Sequence, residues 1–231
     1  MFYWYGIDWT YLVLVLPAMI FALIAQGMVT STFNKYAKKA TRCGMTGYQA
    51  ANMILEENGI HDVRIERISG NLNDHFDPKA GVIRLSDATY ASTSAAAVGV
   101  AAHEAGHAVQ HAKQYTPIQI RSAIIPITGI GSKLTFPLIL IGALLSFQPL
   151  VTIGIAFFAL STVFQLVTLP VEFNASKRAM QALRASGRMD SDELTASRKV
   201  LTAAAMTYVA ALAVSLMQLI RLMIIFGRRR D

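Results

Sequence analysis

Between Lys133 and Glu172 the chain runs for 38 residues without a charged side chain. A helix of about 20 residues crosses a hydrocarbon core about 30 Å thick, so this run is too long for one span. It has to fold back, and Gln148-Pro149 marks the expected reversal. The return helix then covers residues 150–170. The outgoing helix needs enough length to cross, so it begins near Ala123 and takes in Lys133. At that depth Lys133 can snorkel, face a partner, or mark a break at Gly129-Ile130-Gly131-Ser132.

Two further runs have the same character. Residues 9–30 are 22 positions free of charge, and Tyr3, Trp4, Tyr5 and Trp9 crowd their start as interfacial aromatics do. Residues 201–226 form a last span, with Arg221 near its far end. The expected class is a mainly α integral membrane protein with about four transmembrane helices. Composition agrees: 54% of residues are apolar and only 15% charged, against about a quarter charged in soluble domains. Residues 1–8 lack a basic region and the apolar stretch after them is too long for a signal peptide, so the N-terminus reads as a retained anchor.

The net charge of +7 is first a topology signal. No run interleaves basic and aromatic residues as a nucleic-acid surface would, so no nucleic-acid partner is expected. Residues 31–122 hold 10 Lys and Arg, residues 171–200 hold six, and the opposite side holds three, all in the C-terminal tail. The positive-inside rule puts both charged regions in the cytoplasm. The single cysteine, Cys43, excludes an intrachain disulfide and a multi-cysteine metal site. It reads as a small loop residue.

Five segments follow: an anchor helix over residues 1–30, a water-exposed catalytic segment over 31–122, a transmembrane hairpin over 123–170, a helix carrying a third metal ligand over 171–200, and a last span with a basic tail over 201–231. Within the second, residues 46–58 read as a helix capped by Thr46 and Gly59. Residues 63–68 alternate apolar and charged as a half-buried strand does. Residues 81–86 read as another strand, whose exposed edge could pair with an extended peptide. A helix starting near Ser92 or Ser94 runs through His111.

That helix carries His103-Glu104-Ala105-Gly106-His107. Positions i and i+4 share a helix face, so two imidazoles can reach one Zn²⁺ while Glu104 reaches a water on the same metal. A catalytic zinc needs a third protein ligand and one open position. His111 cannot be that ligand, because eight helical residues place it about 12 Å from His103. Glu172 can. It ends the third span, where a carboxylate is poorly placed without a partner, and two crossings return it to the side that holds His107. An interfacial Glu172 paired with Arg178 is the plain alternative. His61 follows a helix end, and His75 lies in a turn-like segment from which it could enter the site as a donor.

Asp74-His75-Phe76-Asp77-Pro78, Leu85-Ser86, Ala101-Ala102-His103-Glu104-Ala105-Gly106-His107-Ala108-Val109-Gln110 and Leu169-Pro170-Val171-Glu172-Phe173-Asn174-Ala175-Ser176 resemble the bacterial YugP-type neutral zinc metallopeptidases. The resemblance runs from the first anchor to the last span, and the family is similar in plan to the HtpX-type membrane gluzincins. It implies a zincin-like helix with a small β-sheet, Zn²⁺ on His103, His107 and Glu172, and Glu104 as general base. HtpX-type enzymes carry an Asp four residues after the ligand Glu. Ser176 stands there in this chain, and Asn174 where many relatives carry an acidic residue.

The expected activity is hydrolysis of peptide bonds in membrane or membrane-proximal proteins, in a multi-pass protein of the cell membrane. A non-hydrolytic zinc-binding scaffold is the alternative; a channel is disfavoured because few ionisable residues lie mid-span apart from Lys133. The small residues Ala203-Ala204-Ala205 and Ala210-Ala211 allow close helix packing, within one chain or with a membrane partner or second copy.

Overall fold

The computed structural model describes residues 3–4 and 7–227. The side chains of Tyr3, Trp4 and Tyr5, and the basic tail over residues 228–231, lie outside that description. In chain order the elements are β1 (Tyr3–Trp4), β2 (Ile7–Asp8), α1 (Leu16–Tyr36), α2 (Gly47–Glu57), β3 (Arg64–Ile68), β4 (His75–Asp77), β5 (Val82–Ser86), α3 (Asp87–Tyr90), α4 (Ala95–Ala112), α5 (Thr116–Leu144), α6 (Gln148–Ala185) and α7 (Ser191–Gly227). A π-helical stretch, Tyr11–Val15, opens α1. Four helical runs are long and apolar enough to cross a membrane: Tyr11–Tyr36, Thr116–Leu144, Gln148–Ala185 and Ser191–Gly227. The chain is a mainly helical membrane protein with a small sheet, as its apolar runs dictate.

Internal packing divides it into two discontinuous units. The first comprises Met1–Ala25, Ile120–Leu169 and Thr207–Asp231. Many of its large apolar side chains are exposed, among them Val13, Phe136, Leu144 and Leu145. In water that would be a fault; in lipid it is the solvated face. Hydroxyls here turn back on their own helices, as Thr128 does to the Ile124 carbonyl at 3.0 Å and Thr135 to the Gly131 carbonyl at 2.8 Å. Glycines bring α5 and α6 together. A Cβ on Gly154 would lie 2.7 Å from Ile139 Cγ1, and one on Gly142 2.8 Å from the Val151 backbone nitrogen. Asp8 accepts from Thr10 and from the Tyr11 amide at 3.1 Å, and its other oxygen pairs with Arg221.

Several boundaries differ from expectation. The α5–α6 reversal is at Leu145 to Phe147, where Ser146 adopts φ +51° and the Phe147 amide donates to the Gly142 carbonyl at 2.8 Å. Gln148 and Pro149 already belong to α6, because proline suits a first helical turn. Lys133 sits exposed in an unbroken α5. The single helix expected over residues 171–200 is instead the end of α6, a turn with Gly187 at φ +63°, and the start of α7. Charge at Glu172 ends a hydrophobic run, but it does not end a backbone ladder.

The second unit comprises Gln26–Gln119 and Pro170–Met206. Its core joins Ile54 and Leu55 of α2, Ile83 and Leu85 of β5, Val98 and Ala102 of α4, and Leu183 of α6. Thr46 caps α2 in a reciprocal capping box with Gln49. The sheet order is β3-β5-β4, with β3 parallel and β4 antiparallel to β5. This overturns the expected free edge on β5: both its edges are paired, and Val82, Ile83, Leu85 and Ser86 are buried. A central strand buries alternate faces and both edges, which a five-residue pattern cannot distinguish from an edge strand. The Asp74–Pro78 motif serves this hairpin. Asp74 accepts from the Ser86 amide at 2.8 Å, and Asp77 accepts from the amides of Lys79 and Ala80 at 3.0 and 3.1 Å.

Candidate metal centre

Helix α4 starts where Ser94 accepts from the Ala97 amide at 3.2 Å. Its alanines are buried on nearly every side, so it runs through the middle of the second unit. Gly106 decides how close α6 comes. A Cβ there would lie 2.6 Å from the Ala175 carbonyl oxygen, so only glycine allows the two backbones to meet at this level. The approach places Glu172, one turn before Ser176, beside the two histidines of α4.

His103 Nε2 and His107 Nε2 are 3.1 Å apart, and Glu172 Oε2 lies 3.3 and 3.5 Å from them. The imidazole planes are nearly perpendicular, at 83°. Three ligands about 2.0–2.1 Å from one tetrahedral zinc stand roughly 3.3–3.4 Å from each other, which matches these edges. Glu172 is 2% exposed, and among the described residues these three form the cluster able to hold a metal ion. The residues present therefore fit zinc. Glu104 is also buried, at 8% exposure, on the same helix.

The ring orientations can be deduced from neighbours. Arg178 only donates, and its Nε lies 2.7 Å from Asn174 Oδ1, so that atom is an acceptor. Gln110 Nε2 then donates to Asn174 Oδ1 at 3.0 Å and to the Val171 carbonyl at 2.8 Å. Gln110 Oε1 is thereby left facing His107 Nδ1 at 3.0 Å, so Nδ1 carries the proton. In neutral His107 the lone pair is on Nε2, the nitrogen that faces Glu172. His103 Nδ1 is held 3.1 Å from Ser176 Oγ.

Burial opposes a charged His107. The Glu172 hydrogen bond and the negative charges of Glu104 and Glu172 outweigh it and raise the imidazole pKa above its ordinary value. A cation is favoured at this point, and a proton competes with a metal for it.

The sequence singled out His103, Glu104, His107 and Glu172; the fold brings the two histidines and Glu172 together, with Glu104 buried on the same helix and its charge felt at His107. Arg178 is not the partner of Glu172 expected on the plain alternative; it donates to Asn174 and lies 6.0 Å over the Tyr115 ring. His111 lies outside the cluster, edge-on to Phe76 with ring centroids 5.9 Å apart. His75 is exposed, with Nδ1 2.9 Å from the Asn73 carbonyl and Nε2 3.4 Å from Arg84. His61 is exposed in the loop between α2 and β3. Sequence reasoning gave no role to Gln110. Its only trace is the spacing, three residues after His107 and seven after His103, on the same helix face. Ser176 and Asn174, which stood out only as departures from an acidic pattern, hold His103 and Gln110.

The model of a family described as "Putative neutral zinc metallopeptidase" matches residues 11–227. A relative from Bacillus subtilis (strain 168), "Putative membrane protease YugP", is 42% identical over 221 residues, covering 96% of this chain and 98% of the relative. No solved structure matches the chain.

Proposed function

This chain belongs to the family of neutral zinc metallopeptidases, and from that premise we propose that it hydrolyses peptide bonds of membrane or membrane-proximal proteins, with His103, His107 and Glu172 holding the zinc and Glu104 as general base. The observation that carries the reading is the closed triangle of His103 Nε2, His107 Nε2 and Glu172 Oε2, with edges of 3.1–3.5 Å. When bound there, zinc supplies Lewis acidity toward water and toward a peptide carbonyl.

The protein side chains do the rest. The Glu104 carboxylate accepts a proton from the attacking water and returns it to the amide nitrogen as the C–N bond breaks, so the amine leaves neutral. Gln110 and Ser176 fix the two rings, so that the ligand lone pairs converge before metal arrives. Burial of Glu104 and Glu172 keeps bulk water from competing for their oxygens. The 10 and six basic residues of segments 31–122 and 171–200, against three in the tail, support a site on the cytoplasmic side.

The test uses the full chain in detergent with a membrane-protein substrate. Glu104→Gln is expected to retain zinc and lose roughly 10²- to 10⁴-fold in cleavage rate. Glu172→Ala is expected to lose zinc. Unchanged cleavage by the first variant removes the role of Glu104, and full zinc occupancy in the second removes Glu172 as a ligand. A zinc-loaded chain that cleaves no membrane protein leaves the non-hydrolytic scaffold as the reading.

A further inference from the structure

Within the second unit, α6 and α7 leave a slot of about 610 Å³ between them. One end is apolar, walled by Phe173, Leu201, Ala205 and Met206, and Met180 continues that wall. These residues adjoin positions 169 and 207, where each helix continues into its apolar stretch. The other end is cationic. Arg184 and Arg198 line it, Lys177 lies between, and no acidic residue lines the slot. Among the described residues none of these three cations has a carboxylate within ion-pair distance. Ser176 forms part of the same wall, and its hydroxyl is 3.1 Å from His103 Nδ1. The slot therefore borders the metal cluster.

Length discriminates between occupants. Arg184 is eleven residues beyond Phe173, about 16 Å along α6. A phosphate held about 5–7 Å from Phe173 reaches the level of Lys177 and Arg198 but falls short of Arg184, so only an occupant longer than one headgroup layer engages all three cations. An extended peptide covers the distance with about five residues. We propose that the α6–α7 slot binds an extended segment of the protein substrate in which apolar residues lie about five positions from acidic ones. The apolar part packs on Phe173, Leu201 and Met206, and the carboxylates meet Arg184 and Arg198. The proposal rests on the peptidase reading above and adds to it a class of substrate.

The experiment reads binding, not cleavage. The full-length Glu104→Gln chain in nanodiscs of zwitterionic lipid is titrated into a fluorescein-labelled peptide of leucines and alanines ending in two glutamates, and anisotropy is followed. The acidic peptide is expected to bind about tenfold tighter than its lysine counterpart, since each exposed ion pair contributes up to roughly fivefold. Arg184→Ala with Arg198→Ala is expected to abolish that preference; where this variant does not fold, the peptide pair on the intact slot decides alone. Equal binding of the two peptides overturns the proposal. So does loss of acidic-peptide binding when phosphatidylglycerol enters the nanodisc, which assigns the slot to lipid. A charge preference without any cleavage by the unsubstituted chain leaves the slot standing and removes only the hydrolytic reading.

Discussion

Thr135 and Gln110 are both buried polar residues on helices, and they direct their hydrogen bonds differently. Thr135, in the first unit, returns its hydroxyl to the Gly131 carbonyl of its own helix. Gln110, in the second, reaches Val171 and Asn174 on another helix and His107 on its own. The contrast recurs, with Thr162–Ser215 and Asp8–Arg221 as exceptions in the first unit and Thr202, which bonds to the Arg198 carbonyl of its own helix, in the second. In the first unit Thr152, Ser161 and Thr168 also bond to carbonyls four residues back. In the second, Ser197 donates to the Ala95 carbonyl at 2.7 Å, and Glu193 accepts from the amides of Arg42 and Asp190 at 2.6 and 2.9 Å. A helix in hydrocarbon has no water to serve a stray hydroxyl, so self-sufficiency is the safe solution. A site needs side chains held at set angles across elements, which self-bonded groups cannot provide.

Three experiments test how deep this contrast goes. The largest effect is expected at Gly106→Ala. Its Cβ would meet a backbone oxygen, so α4 and α6 must part at a cost of about 1–3 kcal/mol, and zinc retention should fall with stability. Gly129→Ala, in the first unit, meets nothing within 4 Å and should be neutral or slightly stabilising in the same unfolding titration. Equal damage at both sites would erase the distinction. Next is Gln110→Leu, which removes the acceptor for His107 Nδ1 and keeps the volume. Zinc affinity, measured by chelator competition, should drop about 10- to 100-fold. An unchanged affinity in the leucine variant would make Gln110 a packing residue. The smallest effect belongs to Thr162 and Ser215, whose hydroxyls lie 2.8 Å apart between α6 and α7. A double-mutant cycle should give a coupling near 0.6 kcal/mol, because each hydroxyl has its own helix to fall back on. A coupling of several kcal/mol would show that the first unit also relies on cross-helix polar contacts.

Legibility in the sequence followed the range of the interaction. The apolar runs announce spans because hydropathy is a local sum, and Ser94, Thr46 and the i, i+4 histidines are local as well. Glu172 was reachable by topology, since an even number of crossings returns the chain to the starting side. The true length of α6 was not, because its ladder continues past the charge at Glu172 to Ala185. Nor was the middle position of β5, which depends on β3 and β4 arriving on opposite edges. Gln110 and Ser176 acquire their roles only from the approach of α4 to α6, and nothing in either residue's own neighbourhood specifies that contact.

The sequence by itself determined a four-span helical membrane chain and placed two imidazoles and a carboxylate on one helix, through hydrophobicity and the 3.6-residue turn. It also placed Gly106 between them. Only the tertiary structure decided what that glycine is for. With no Cβ in the way, Ala175 can pack against it, Glu172 comes within 3.5 Å of both histidines, and Gln110 and Ser176 settle which nitrogen of each ring faces the carboxylate.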